Sequence, residues 1–149
     1  MKSKEFDDFV QFLREDTRCS HLVHLKKIHQ KLYSCEQLWD KIPEDFKKKW
    51  LLNAKTFIGI EWCEPGDFLA LHTDIGGRKS NLLLNIGKHP ATIQHSNADV
   101  VQDQTIEPGE FFVIDTTKEH GCDNTKNTEK AEFLTINYRM SYSECIAQF

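Results

Sequence analysis

The first third of the chain repeats its apolar residues at helical spacing. Phe6, Phe9, Val10 and Leu13 fall on one face, with Lys, Asp and Glu elsewhere, which predicts an amphipathic helix. Leu22, Leu25, Ile28 (with His29) and Leu32 repeat the period, and Ser20 suits the N-cap of a second helix. A third helix is expected from Pro43 to about Leu52, with Pro43 in its first turn and Phe46, Trp50 and Leu51 along it. The aromatic residues of these segments read as core packing.

From Lys55 the period shortens to two. Strands are expected over Lys55–Trp62, Phe68–Thr73, Asn81–Ile86, Ala91–His95 and Glu110–Asp115, and over a final stretch, Lys130–Arg139. Asp99–Gln102 and Thr105–Glu107 read as two short ones. Glu64-Pro65-Gly66-Asp67, Gly76-Gly77 and Pro108-Gly109 supply turns. Seven or eight short strands at this spacing predict a mainly β protein, a sandwich or jelly roll, braced by about three helices on one outer face. In the strand over 81–86, Asn81, Leu83 and Asn85 share one face. Leu82, Leu84 and Ile86 share the other, which should meet the helices.

The chain has 149 residues, 39% hydrophobic and 28% charged, enough for one domain with a real core. It divides into a helical brace (1–52), a β core (55–140) and a C-terminal tail (141–149). Nineteen basic and 23 acidic residues give a net charge of −4. The acidity concentrates in the β region, which argues against a phosphate-backbone partner such as DNA or RNA. No apolar run is long enough to span a membrane, and no signal-peptide pattern opens the chain. Five cysteines (Cys19, Cys35, Cys63, Cys122, Cys145) without CxxC spacing fit a reduced, cytoplasmic protein. Nothing in the sequence sets the oligomeric state.

Of seven histidines, His21, His24 and His29 lie on expected helices and read as surface or packing residues. His72-Thr73-Asp74 is different. It ends an expected strand before a glycine loop, and in extended chain residues i and i+2 point to one side, so both can serve one ion. Alone the triplet is a weak signal. His120 strengthens it, because the turn and strand over Pro108–Asp115 bring the chain back beside the first strand. Two His and one carboxylate form the facial triad of non-heme Fe(II) oxygenases, which leaves positions open for O₂ and a co-substrate. A structural zinc site recruiting Cys122 is the alternative at these residues.

Leu71-His72-Thr73-Asp74-Ile75-Gly76-Gly77-Arg78, the strand Asn81–Gly87, the Pro-Gly turn before Phe111–Asp115, His120 and Lys130–Asn137 together resemble the Fe(II)/2-oxoglutarate-dependent dioxygenases. The order is similar to their aspartyl/asparaginyl β-hydroxylase-like and prolyl-hydroxylase-like groups. The resemblance covers about residues 55–140. It implies a double-stranded β-helix (jelly-roll, cupin-like) core, with iron on His72, Asp74 and His120. It also implies hydroxylation of a C–H bond, with 2-oxoglutarate and O₂ converted to succinate and CO₂. The implied substrate is a peptide or protein side chain, with a free amino acid or other small molecule close behind.

The resemblance further implies a cation at Lys130 for the far carboxylate of the oxoacid, with Arg139 the runner-up on the opposite strand face. Asn81 and Asn85 would face inward, to meet either the oxoacid or neighbouring backbone and water. The family often carries a basic residue on this strand and none stands here; Arg78 and Lys79 just before it would supply that charge from the loop or contact substrate. Thr135 and Asn137 share the face of Arg139, and Asn124 would support His120 from behind. Trp62 and Phe112 read as core. Two rival readings stand beside the dioxygenase: a cupin-type metal protein without an oxoacid, and a non-catalytic β-sandwich binding module.

Overall fold

The computed structural model describes residues 4–16, 20–23, 28–74 and 77–149. Helix α1 (Lys4–Glu15) buries the stripe of Phe6, Phe9, Val10 and Leu13. Helix α2 (Cys35–Leu38), a 3₁₀ turn (Trp39–Lys41) and helix α3 (Glu44–Lys49) complete the N-terminal brace. Pro43 is the N-cap of α3 and lies just outside its first turn.

The described residues form ten strands in two sheets. The larger has the order β1 (Ser20–Val23), β2 (Ile28–Ser34), β3 (Phe57–Cys63), β10 (Ala131–Tyr138), β5 (Ser80–Asn85), β8 (Phe111–Asp115). The smaller has the order β4 (Phe68–His72), β9 (His120–Asp123), β6 (Ala91–Asn97), β7 (Val100–Ile106). Every neighbouring pair is antiparallel.

Two apolar layers hold this together. Phe6, Phe9, Leu13, Phe46 and Trp50 pack with Ile58, Ile60, Leu82, Leu84, Leu134 and Ile136, between the helices and the outer face of the large sheet. Leu83, Ile93, Ile106, Ile114, Cys122 and Phe133 form the second layer, between the sheets. Strand β10 is buried along its whole length because it sits mid-sheet and contributes to both. The alternation over 81–86 therefore has the expected sense: Leu82 and Leu84 meet the helices, and Leu83 faces the other sheet.

Among the described residues the expected second helix is replaced by strands. Residues 20–23 and 28–34 are strands, and β2 extends the large sheet by pairing with β3 from His29↔Trp62 to Ser34↔Phe57. Leu25 and His24 lie outside the described residues. A free sheet edge offers backbone pairing along the whole of β2, which outweighs the weak helical period of this segment. Alternation then governs burial: Tyr33 turns toward the helices, and so does Lys31, which is 4% exposed. The Lys31 ammonium donates to the carbonyls of Leu13 and Arg14, so a cation closes the C-terminus of α1. The two short strands expected over 99–107 are one, β7, joined to β6 by a tight turn at Ala98 and Asp99, both with positive φ (50° and 64°). The C-terminal tail carries helix α4 (Tyr142–Ile146), capped by the Ser141 hydroxyl and anchored by the buried Cys145.

Among the described residues, no helix is long and apolar enough to cross a membrane.

Candidate metal centre

His72 ends β4 and His120 begins β9, and the two are paired residues across these strands. A bulge sets this up. Leu69 pairs with Cys122, and the next partners are His72 and His120, so β4 spends three steps where β9 spends two. Leu69 faces the inner layer. Plain alternation would send Leu71 inward and His72 outward; the extra residue reverses them and leaves Leu71 41% exposed. The sequence carries no mark of this bulge.

Both imidazoles are held from behind in the same way. His72 Nδ1 donates to the carbonyl of Ala70 at 2.8 Å, and His120 Nδ1 to that of Lys118 at 2.8 Å. With Nδ1 so committed, each ring turns Nε2 to the cavity: a lone pair for a metal in the neutral tautomer, or an N–H for Asp74 when the ring is protonated. The free nitrogens converge on one oxygen: Asp74 Oδ1 lies 3.3 Å from His72 Nε2 and 3.1 Å from His120 Nε2. Asp74 reaches this place because its amide donates to the Thr116 carbonyl at 2.8 Å, tying the loop to the end of β8. The donor atoms of the three residues all lie within 4.8 Å of one another.

Burial alone would raise the Asp74 carboxyl, but hydrogen bonds to His120 and His72 and their charge hold it well below the usual carboxylate range. Burial opposes a charged His120 ring, yet its bonds to Asp74 and to the Lys118 carbonyl raise it above the ordinary histidine value. Two nitrogens and a carboxylate oxygen around one point, with their rear nitrogens committed, suit a divalent transition ion. Cys122 faces the inner layer and its thiol donates to the Thr92 carbonyl at 3.3 Å; it is not in the donor group.

The donors line a cavity of about 70 Å³ between the sheets. Leu69, Leu83, Ile93, Ile114 and Phe133 form its apolar wall, and Gln30, Glu61, Asn81, Thr116, Thr135 and Asn137 its polar one. Arg78 is the single Lys or Arg among the lining residues. It is brought there by Thr116, whose hydroxyl donates to the Arg78 carbonyl at 3.2 Å.

The other residues singled out from sequence lie elsewhere. Lys130 precedes β10 and is exposed; its ammonium sits 3.6 Å from Glu132 and 5.8 Å from the Trp62 ring centre. Glu132 is itself paired with Arg14 of α1, so this cluster is on the helix side of the large sheet, away from the cavity. The barrel floor beside the start of β10 is apolar instead, built from Cys63, Ala131 and Phe133. Arg139 follows β10, is exposed, and is not a lining residue. Asn85 shares the inner face with Asn81 but serves the other end: its Nδ2 donates to the His89 and Ile106 carbonyls, and its Oδ1 accepts from Gly87.

Asn124 donates to the carbonyls of Cys63, Glu64 and Glu129, pinning two turns; the rear partner of His120 is Lys118. Trp62 packs with the helix-side layer and Phe112 with the inner one, as core residues.

Glu61 and Thr116 also line the cavity and lie outside the expectations drawn from sequence. Glu61 had a visible signal: one carboxylate inside the otherwise apolar run Phe57–Cys63. Its carboxyl is pushed up to about 7, first by burial and then by the negative charge of Asp74.

No protein-family model matches the chain, and no curated protein matches it in sequence. Solved structures match its fold. An oxalate decarboxylase from Lactobacillus farciminis, complexed with formate, superposes with a TM-score of 0.54 at 14% identity, over 79% of this chain and 30% of that one. An oxalate oxidase superposes with a TM-score of 0.52 at 12% identity, over 75% of this chain and 51% of that one. A conserved protein with a double-stranded β-helix domain from Klebsiella pneumoniae gives 0.44 at 17% identity, over 56% of this chain and 67% of that one. The chain thus spans about a third to a half of the two oxalate enzymes. At such identities the likeness concerns the fold: two antiparallel sheets of a double-stranded β-helix, the cupin architecture, with a few helices outside.

Proposed function

We propose that the chain is a metal-dependent enzyme of the cupin type. It holds one divalent ion on His72, Asp74 and His120 and binds a small carboxylate-bearing substrate beside it. The observation that carries this reading is the convergence of two imidazole Nε2 atoms on Asp74 Oδ1, with both Nδ1 atoms committed to backbone carbonyls. Such an ion supplies Lewis acidity, and as Fe(II) also the means to activate O₂. The chain's own residues do the rest. The rear hydrogen bonds orient the rings, the apolar wall limits water, and Arg78 offers the charge that would take a carboxylate.

A second reading, the Fe(II)/2-oxoglutarate dioxygenase that hydroxylates a C–H bond, draws support from the donor set itself, which is that of the facial triad. In it Arg78 has to take the role expected of Lys130, because Lys130 stands outside the cavity and the floor is apolar.

The experiment is anaerobic loading with Fe(II), followed by metal stoichiometry and thermal melting with 2-oxoglutarate, N-oxalylglycine or oxalate. One ion per chain, lost in His120→Ala, is expected; a chain that takes up no metal sinks both readings. Succinate formed from 2-oxoglutarate, above a His72→Ala control, selects the dioxygenase. Metal uptake with no succinate formed and no stabilisation by 2-oxoglutarate or N-oxalylglycine selects the cupin-type enzyme.

A further inference from the structure

The wall facing the metal ligands carries a second polar constellation that the metal chemistry leaves idle. Glu61 lies mid-strand in β3, flanked in register by Gln30 on β2 and Phe133 on β10, and lines the cavity. Among the described residues no Lys or Arg forms an ion pair with its carboxyl; the Thr135 hydroxyl lines the same wall beside it.

Asn81 on β5 sets the polarity of this wall. Its Nδ2 donates to Thr135 Oγ1 at 2.7 Å, which leaves the threonine proton for Glu61. The same Nδ2 donates to the Ile136 carbonyl and to Asn137 Oδ1, each at 3.1 Å. With Oδ1 so engaged, the Nδ2 of Asn137 has no partner among the described residues, although Asn137 is only 4% exposed and lines the cavity. Such a buried orphan donor is rare in native proteins, because it loses its bonds to water and gains none in return. Arg78 completes the set: it lines the same cavity, and among the described residues it forms no ion pair.

One cavity therefore holds an acceptor without a cation, a donor without an acceptor and a guanidinium without an anion. A dicarboxylate would satisfy Arg78 and Asn137 but bring negative charge against Glu61 and Asp74. A neutral amide would satisfy Glu61 and Asn137 but strand Arg78. A zwitterion serves all three and leaves no buried charge unpaired.

We infer that Glu61, Asn137 and Arg78 form the recognition site for a free α-amino acid, its ammonium on Glu61 and its carboxylate shared by Arg78 and the Asn137 Nδ2. This rests on the cavity being the substrate site of the proposed enzyme.

The test is calorimetric titration of the full chain, Zn(II)-loaded and metal-free, with each of the common amino acids up to millimolar concentration. Each amino acid that binds is compared with its 2-hydroxy acid and its amide. At least one amino acid should bind, and loss of its amine or of its carboxylate should weaken binding about tenfold or more. Glu61→Gln should weaken the amino acid by a similar factor and leave the hydroxy acid unchanged, while Glu61→Asp, which keeps the charge, retains part of the affinity. Arg78→Gln should weaken both ligands; Lys130→Ala, outside the cavity, should weaken neither.

No binding by any amino acid in either form overturns the inference, as does unaltered binding by a folded Glu61→Gln. A chain that takes metal but no amino acid loses this site and keeps its metal centre. One that binds an amino acid but no metal keeps the site and loses the metal reading.

Discussion

His72 and His120 face each other across β4 and β9 with ring centres 4.2 Å apart, and each donates Nδ1–H to the carbonyl two residues before it. The symmetry matters because strand pairing and backbone carbonyls together aim the two remaining nitrogens at one point. Preorganisation of this kind lowers the cost of metal capture.

Replacing a ligand should therefore cost more than replacing its support. His120→Ala or Asp74→Ala is expected to reduce metal affinity by more than the ~10–100-fold typical of losing an outer hydrogen-bond partner. Equilibrium dialysis with metal analysis reads this directly, and near-native affinity in either variant would remove that residue from the donor set.

Gly121 sits between His120 and Cys122 where β9 presses on β4: a methyl there would lie 2.5 Å from the Leu69 carbonyl oxygen. The obstacle is backbone, which cannot rotate away. Gly121→Ala should cost about 1–3 kcal/mol and also loosen the strand pairing that juxtaposes the two histidines. Lowered melting temperature together with weaker metal binding is the expected pair of results; a variant as stable as the parent would show that the strands can part freely.

The metal-free chain should lose stability as pH rises from about 4.5 to 7. The Glu61 carboxyl titrates near 7 in the fold against an ordinary value of 4.5, so between these values the native state holds the extra proton. The slope is negative, and the stability lost across the range is on the order of 3 kcal/mol, at ~1.4 kcal/mol for each tenfold change in proton affinity. His120, raised in the fold, slopes the same way, and His95, whose burial lowers it, slopes the other. Urea unfolding across this range should accordingly be flatter for Glu61→Gln than for the parent. Parallel curves would mean that Glu61 ionises as freely as in water.

Cys35 and Cys145 lie in the helix-side core, and burial raises both thiols, Cys35 to about 12. Both should resist a water-soluble alkylating reagent at neutral pH and react readily in urea. Site-resolved mass spectrometry reads this; rapid native labelling of Cys35 would show the brace to be open.

How much of this was legible beforehand differs from element to element. The stripe of Phe6, Phe9, Val10 and Leu13 and the alternation over 81–86 were readable because each encodes its own exposure within one segment. The segment 28–34 misled because its period is short and its burial depends on a free edge of β3, far along the sequence. Lys130 misled for a related reason: its direction is set by Glu132, Arg14 and the packing of α1, none of which its own neighbours announce.

By itself, the chain's order of residues determined the chemistry on offer: two imidazoles and a carboxylate able to serve one ion, a β core, and an apolar stripe to brace it. Tertiary structure alone decided which groups meet. The bulge in β4 turns His72 inward, Thr116 draws Asp74 and Arg78 to the cavity, and Asn81 aims Thr135 and Asn137. Composition and periodicity report local preference. Register, bulges and cross-strand hydrogen bonds arise only when distant segments compete for the same partners.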